Sequence, residues 1–201
     1  MASASGFVKD IDKGWDRIVK ERLGDKVVKV GITGAQAEAV HKDAGITNAQ
    51  LGAVHEYGAT IQHPGGTSFS SDFTNGNRFI KNADVADHDN VGVTGAHVIV
   101  IPARSFMRST MDANHMYAAD IDKAVKAILD GKLHEDRALD LIGAKAASDV
   151  MRTIEKGIPV PLAASTIKRK GSSKPLIDNK DLLRSITHAV VDKSTVTKGT
   201  T

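Results

Sequence analysis

Apolar side chains recur at the period of an α-helix in several stretches of the chain. The spacing predicts an amphipathic first helix that ends at Gly24, two shorter helices over residues 105–115 and 118–129, and a long helix over residues 135–155. The first helix is defined by Phe7, Ile11, Trp15 and Ile18, with Val8 and Val19 beside them. The long helix is defined by Leu139, Ile142, Ala146, Val150 and Ile154. We expect these helices to cover a small sheet.

Capping signals mark two further helices. Thr47 precedes an apolar run and has Gln50 three residues later, which is the pattern of a capping box, and Gly58 is placed to end that helix. A short helix is predicted within "IDNKDLLRSI", with Asp178 as its cap. The basic stretch between the long helix and this last helix, residues 165–175, is predicted to be a short turn followed by a flexible crossing, "KGSSKP".

Short β-branched stretches predict strands over residues 27–33, 78–81, 98–101 and 187–191. The predicted fold class is therefore α+β, with a small, mostly antiparallel sheet packed by amphipathic helices. The run "HVIVI" is expected to re-enter the core and to end at Pro102, because proline cannot donate to a strand ladder. Residues 192–201 are predicted to form a flexible C-terminal tail.

Residues 59–96 differ in character from the rest of the chain. They are rich in Gly, Asn, Asp and Ser and contain only brief β-like pieces, so they cannot bury a core by themselves. We predict a long β-hairpin or flap that projects from a single domain formed by residues 1–201. Such an arm would contact another subunit or a neighbouring protein.

Composition narrows the class of protein. The chain has 201 residues and a mass of 21.3 kDa, which suffices for one core, and its aromatic content of 4% leaves little material for stacking on nucleic-acid bases. It contains no cysteine, which excludes disulfides and thiolate metal sites, and it has no apolar run of about 18 residues. We therefore expect a soluble, unsecreted protein. Its net charge is only +3, but residues 151–184 are strongly basic.

No complete catalytic motif is present. The chain lacks a nucleophile elbow, a P-loop, a zinc-protease motif and a dinucleotide-binding glycine fingerprint, so no catalytic, cofactor or metal residues are predicted. His55 and His63 bracket a probable turn and, with Arg104, leave open a small metal- or phosphate-dependent enzyme. The alternative for Arg104 is a structural ion pair, for which Glu56 is the expected partner, with Phe106 as an apolar anchor beside it.

Three landmarks occur in order: "LGAVHEYGATI", "VIVIPARSFMRSTMD" and, after the long helix, "GIPVPLAASTIKRKGSSKPLIDNKDLLRSITHAV". Together they resemble the neck, or head-to-tail connector and tail-completion, proteins of long-tailed bacteriophages. The resemblance covers residues 51–190. Two departures are Ser105, where a second proline is usual, and Asn179 with Lys180, where Thr-Gly is usual. The matching positions are Glu56, Tyr57, Gly58, Pro102, Ala103, Arg104, Phe106, Leu176, Ile177, Asp178, Leu182, Ser185 and Ile186.

The resemblance implies a structural role and no reaction. Proteins of this family form a ring of six or twelve copies around the DNA channel, between a head-closure or adaptor protein and a tail terminator or tube protein. The genome passes without sequence-specific binding, no cofactor or membrane is involved, and the protein resides in the virion neck after assembly in the host cytoplasm. On this interpretation Pro102, Arg104 and Phe106 form a corner that packs against a neighbouring subunit. A tail terminator that caps the tube is the alternative within the same class.

Overall fold

The computed structural model describes residues 25–40, 45–72, 76–80, 91–177 and 180–196. The predicted first helix with Gly24, the proposed cap Asp178 and its neighbour Asn179 lie outside these residues. Within the described part of the chain, no helix is both long enough and apolar enough to cross a membrane.

A run of strands is followed by a run of helices along much of the chain, as expected for the α+β class. The strands are β1 (Lys26–Ile32), β2 (Ala59–His63), β3 (Ser68–Asp72), β4 (Gly76–Phe79), β5 (Val91–Val93), β6 (His97–Ile101) and β7 (Ile186–Asp192). The helices are α1 (Ala35–Glu38), α2 (Asn48–Tyr57), α3 (Met107–Ala113), α4 (Ala118–Leu129), α5 (Glu135–Lys156), α6 (Ala164–Lys170), α7 (Asp181–Arg184) and α8 (Lys193–Val196), with a 3-10 turn over His115–Tyr117.

The strands form three small antiparallel sheets instead of the single sheet that the sequence predicted. Strand β1 pairs with β7, from Lys26 opposite Asp192 to Ile32 opposite Ile186. Strand β2 pairs with β6 over its whole length, and β3 lies between β4 and β5. The α+β class with small antiparallel sheets is confirmed. The single sheet was wrong because strand propensity locates strands but does not specify their partners, which depend on packing between distant segments.

The core lies where α5 packs against the sheet of β1 and β7. Ala147, Val150 and Ile154 on the buried face of α5 join Phe106 and the residues around α7 in one apolar cluster. The predicted helical period of α5 is therefore confirmed, and the helix ends at Lys156, one residue beyond the predicted end. The prediction for α4 agrees with its observed bounds.

The caps near the start of the described chain also agree with the sequence. The hydroxyl of Thr47 accepts a hydrogen bond from the backbone N–H of Gln50, whose side chain accepts one in return from the Thr47 N–H. The helix they begin, α2, ends at Tyr57, directly before Gly58.

The C-terminal third differs from expectation in two places. The basic stretch predicted to be a turn begins instead with helix α6, which ends at Lys170 and is followed by Gly171 in the left-handed conformation. Residues 193–196 of the predicted flexible tail form the helical turn α8, and residues 197–201 lie outside the described residues. Lys180 precedes α7 with a φ of 68°, so a lysine occupies the left-handed position where the resembled motif usually has glycine.

Strands β2 to β5 all lie within the segment that the sequence predicts to be a projecting arm. Strand β6 pairs with β2 and β5 pairs with β3, both antiparallel. Residues 73–75 and 81–90 lie outside the described residues, so a single long hairpin that projects from the body stays a prediction.

Candidate functional site

A corner of the chain joins strand β6 to helix α3. The strand ends at Ile101, as the sequence predicted, and Pro102 and Ala103 come directly after it. Pro102 and Ala103 are exposed, whereas Arg104 and Phe106 are buried, and α3 starts at Met107. We call residues 102–108, together with the Glu56 side chain that binds them, the α3 corner.

The carboxylate of Glu56 caps helix α3 from a distant element. Its Oε2 accepts hydrogen bonds from the backbone N–H groups of Phe106, at 2.8 Å, and Met107, at 3.0 Å. Its Oε1 accepts from the N–H of Arg108 at 3.1 Å. The helix has no cap from its own N-cap side chain, because that residue is Phe106. Glu56 therefore satisfies backbone N–H groups that the first turn of a helix leaves without partners, at the end where the helix dipole favours negative charge.

Two side chains complete the shell around this carboxylate. The hydroxyl of Ser105 donates to Glu56 Oε1 at 2.7 Å, and the guanidinium Nε of Arg108 lies 3.2 Å from the same oxygen. Ser105 stands where the resembled motif usually has a second proline, so the departure adds a hydrogen bond at this site. The Glu56 side chain is only 5% exposed, whereas that of Arg108 is 60% exposed.

These contacts control the charge of Glu56. Burial by itself would raise its pKa, but the hydrogen bonds from the Ser105 hydroxyl and from the three backbone N–H groups favour the ionised form and lower the pKa to about 2. Glu56 is thus a buried carboxylate that stays ionised at any pH at which proteins normally work. Its lone pairs are engaged within the protein, which is typical of a structural anion.

The predicted ion pair between Arg104 and Glu56 is wrong. Arg104 is buried, but its guanidinium donates to the backbone carbonyls of Val160, at 3.3 Å, and Pro161, at 3.0 Å, in the loop after α5. The backbone N–H of Arg104 donates to the carbonyl of His55 at 2.7 Å. Sequence spacing could not separate the two arginines, because Arg104 and Arg108 lie only four residues apart and it is Arg108 that contacts Glu56.

Phe106 connects the corner to the end of the chain. It is fully buried and belongs to the same apolar cluster as Leu182 and Ile186, while Ser185 between them is also fully buried and donates its hydroxyl to the carbonyl of Leu182 at 2.7 Å. The fold thus brings together residues from the second and third sequence landmarks. Asp178, from the same third landmark, lies outside the described residues.

Tyr57 and Gly58 join the corner to strand β2. Tyr57 is exposed, and the guanidinium of Arg108 lies 5.0 Å from the centre of its ring. Gly58 has a φ of 76° and a ψ of 172°, a backbone conformation that is essentially restricted to glycine. A Cβ atom at Gly58 would lie 2.8 Å from the carbonyl oxygen of Ile101 and 2.9 Å from the N atom of Ala103.

Strands β2 and β6 extend from this corner as a pair. The sequence predicted that β6 lies in the core, but it lies at the surface. We call the pair the β2–β6 ribbon. The run "HVIVI" forms a strand as predicted but does not re-enter the core, since Val98 is 53% exposed and Val100 is 68% exposed. In the register, Gln62 lies opposite Val98 and Thr60 opposite Val100. Side chains alternate along a strand, so these four share one face, and Ile61, 43% exposed, lies on the other.

The candidate catalytic residues do not form one convergent group among the described side chains. His63 stacks on His97 across the β2–β6 ribbon, with ring centres 4.8 Å apart, and its Nδ1 accepts from the N–H of Gly65. His55 lies beside Arg104, and burial, followed by the charges of Arg104 and Lys170, lowers its pKa to about 4. In the described part of the chain, no three His, Cys, Asp or Glu side chains are placed to hold a metal ion.

A second polar cluster, around Asp149, was not predicted from the sequence. This buried residue of α5 accepts hydrogen bonds from the hydroxyl of Tyr117 at 3.1 Å and from Arg152 at 2.5 Å, and Lys145 lies 3.3 Å from it. Burial raises the pKa of Tyr117 to about 12, and its hydrogen bond to Asp149 adds to the effect. The i, i+3 and i, i+4 spacing of these residues on α5 was visible in the sequence, but their partner Tyr117 was not.

Comparison of the chain with protein-family models, with curated proteins and with solved structures found no match.

Proposed function

We propose that this protein is a structural component of the neck of a long-tailed bacteriophage, where it completes the head-to-tail connection as a homo-oligomeric ring around the DNA channel. The three sequence landmarks motivate the proposal. The β2–β6 ribbon is the structural observation that supports it most directly.

The ribbon has the properties of a surface that another subunit covers. A sheet of two strands is marginally stable in water by itself, and contiguous exposed apolar residues mark interaction sites. This one carries Val98 and Val100 on one face and Ile61 on the other, and it is two-stranded within the described part of the chain. In a ring, each copy would insert its ribbon against a different surface of the next copy, and such head-to-tail contacts form a closed ring when the rotation from copy to copy adds up to a full turn.

The α3 corner suits this use because it fixes the base of the ribbon. Strand β2 begins directly after Gly58, and strand β6 ends directly before Pro102. Two residues from each of these positions, Glu56 and Arg104 are hydrogen-bonded within the corner. A fixed base gives the ribbon a defined direction, which a ring of repeated contacts requires. The proposal assigns no reaction to the protein, and the modest net charge of +3 is compatible with a lumen through which DNA slides.

The experiment is to measure the mass of the protein in solution and to break the ribbon surface. We expect a ring of six or twelve copies for the unmodified chain, and a folded monomer for the double variant Val98→Lys, Val100→Lys, because two charges would have to be buried in the contact. Leu141→Lys is the matched control, because Leu141 is 45% exposed but belongs to α5 and not to the ribbon. A double variant that still forms the same ring would exclude the ribbon as the contact.

Position in the virion separates the neck from the tail terminator. A reconstruction of the neck of a virion that contains this protein should place its ring between the head-closure or adaptor protein and the tail terminator. A ring that instead caps the tail tube would make the protein a tail terminator. A monomer that binds a stoichiometric metal ion would contradict both assignments and favour the enzyme.

A further inference from the structure

An apolar groove lies between strand β1 and the helices α4 and α5. Its volume is about 320 Å³. Its walls include Val28 and Val30 of β1, Ile121 and Val125 of α4, and Leu139 and Ile142 of α5. The described residues that line it carry no formal charge, so an apolar side chain can enter without removing water from an ion. The groove is therefore suited to an apolar occupant and not to a polar small molecule.

The groove interrupts the burial of one apolar stripe. Along α5, Val150 and Ile154 are fully buried in the core, but Leu139 and Ile142, on the same face of the same helix, are only half-buried and line the groove. On α4, Ile121 is 43% exposed. Helical periodicity places a core-facing stripe on both helices, so this end of the stripe has the pattern of a buried surface without the burial.

The groove follows one edge of strand β1. Side chains alternate between the two faces of a strand, so Val27 lies on the opposite face from Val28 and Val30, yet all three line the groove. A groove that reaches both faces of a strand passes along its edge. Among the strands that the structure describes, β1 pairs only with β7, which leaves one edge of β1 without a strand beside it. Such an edge presents backbone donors and acceptors with which a strand of another molecule can pair.

We propose that this groove receives the β2–β6 ribbon of a neighbouring copy, with Val98 and Val100 directed into it and β6 lying along the open edge of β1. This contact rests on the homo-oligomeric ring proposed above, and it specifies which surface of the next copy the ribbon covers.

The valine face of the ribbon matches the groove in spacing and in charge. Val98 and Val100 lie two residues apart on one face of β6, so their side chains project in the same direction about 6.5 Å apart. Strands β2 and β6 contain no Asp, Glu, Lys or Arg, and their two histidines, His63 and His97, belong to the opposite face. Docking of the valine face therefore buries no charged side chain of either surface, which avoids the desolvation cost of an ion.

A second copy accounts for both surfaces at once. Within one chain the ribbon does not fill the groove, because Val100 is 68% exposed and Ile121 is 43% exposed. Each copy carries one ribbon and one groove, so a closed head-to-tail ring covers every ribbon and every groove. A different partner protein would cover only one of the two surfaces and would leave the other in water, at the cost of its hydrophobic stabilisation.

Cross-linking between copies tests the contact, because the chain has no cysteine of its own. Chains with Val100→Cys and chains with Ile121→Cys are co-expressed, purified as one assembly and treated with a short bismaleimide. We expect covalent dimers from this mixture and only background from either variant expressed alone, because the contact joins two different surfaces. Leu141→Cys is the matched control for Ile121→Cys, since Leu141 is 45% exposed but does not line the groove.

Three results of this experiment would overturn the proposal. Dimers from Ile121→Cys alone would mean that two grooves face each other. A cross-link within one chain, in a variant that carries both cysteines, would place the ribbon in the groove of its own chain. An assembly with the mass of a ring but without the cross-link would place the ribbon on another surface and leave the proposed ring intact, whereas a monomer would contradict the ring as well.

Opposite charges provide a second measurement, with circular dichroism to confirm that each variant is folded. Val100→Lys and Ile121→Glu should each abolish the ring, because each buries an unpaired charge in the contact. The chain that carries both should recover the ring, because every contact then pairs a lysine with a glutamate. Leu141→Glu should leave the ring unchanged. The cross-linking result decides the question if Ile121→Glu fails to fold, and a folded Ile121→Glu that still forms the ring would overturn the proposal.

Discussion

The α3 corner and the β2–β6 ribbon are adjacent in the chain but opposite in the state of their side chains. In the corner, Glu56 is almost completely buried and accepts hydrogen bonds from Ser105, Arg108 and three backbone N–H groups. In the ribbon, Val98 and Val100 are more than half exposed. Polar groups are therefore buried and satisfied where the chain turns, while apolar groups are left in water where it extends.

This difference separates two roles. The corner is complete within one chain, so its contacts contribute to the stability of the folded subunit. The ribbon, in contrast, is not complete within one chain, because its exposed apolar side chains are stabilised only when another molecule covers them. Substitutions in the corner should therefore change the free energy of unfolding, and substitutions in the ribbon should change association.

The largest effect is expected at the buried carboxylate. Glu56→Gln should destabilise the folded subunit by about 3 kcal/mol, because it removes the charge that holds the first turn of α3 and turns an amide NH₂ toward backbone N–H donors. Chemical denaturation of the purified protein measures this. Glu38→Gln, at an exposed carboxylate, should change the free energy of unfolding by less than about 0.5 kcal/mol. Equal changes at the two positions would show that Glu56 contributes no more to the free energy of unfolding than an exposed carboxylate does.

The same carboxylate predicts a pH dependence. The pKa of Glu56 falls from an ordinary value of 4.5 to about 2 on folding, so its contribution is fully present above pH 4.5 and is lost as the pH falls toward 2. The loss should amount to about 3 kcal/mol, which is the shift in pKa expressed as a free energy. In Glu56→Gln this part of the acid destabilisation should be absent. A variant with the same acid profile as the unmodified protein would refute the assignment to Glu56.

Gly58→Ala should destabilise by roughly 3 kcal/mol, because it combines a glycine-only backbone conformation with a Cβ atom 2.8 Å from the carbonyl oxygen of Ile101. Gly34→Ala has a positive φ but open space, and Gly95→Ala has open space without a positive φ, so the pair separates the two causes. The loss of stability should increase in the order Gly95→Ala, Gly34→Ala, Gly58→Ala. A mild effect at Gly58 would mean that the corner and the ribbon are not rigidly joined.

Local signals in the sequence predicted the local features well and the distant contacts poorly. The capping box at Thr47, the end of β6 before Pro102 and the period of α5 depend on neighbours within a few residues, and all three are confirmed. The partner of Glu56 was wrong, because Arg104 and Arg108 carry the same charge at nearly the same sequence distance. The burial of "HVIVI" was wrong for a related reason: an apolar strand looks the same whether its own chain or another molecule covers it.

Arg104→Ala should cost about 1.5 to 3 kcal/mol, because the buried guanidinium donates to the carbonyls of Val160 and Pro161 and leaves both without that partner when removed. Arg108→Ala is the informative comparison. It removes a contact to Glu56, but its side chain is mostly exposed, so the cost should stay below about 1 kcal/mol. A larger loss of stability in Arg108→Ala than in Arg104→Ala would show that the ion pair between Arg108 and Glu56 is the dominant contact of the corner.

The double variant Val98→Thr, Val100→Thr should have the smallest effect on the isolated subunit. Threonine keeps the preference of valine for strands, and both positions are exposed, so the free energy of unfolding at low concentration should change by less than about 0.5 kcal/mol per site. Concentration is the variable that reveals the role of these residues. Association stabilises the folded state by mass action, so the thermal midpoint of the unmodified protein should rise with concentration, whereas that of the variant should rise much less.

Phe106→Ala is the contrasting substitution, because it removes a fully buried side chain from the core and leaves the ribbon surface unchanged. It should lower the thermal midpoint by a similar amount at every concentration. If the valine variant and the unmodified protein show the same concentration dependence, the ribbon does not mediate association, and its exposed valines are an ordinary part of the surface. A concentration dependence that is lost in the valine variant but kept in Phe106→Ala would instead assign association to the ribbon and stability to the corner.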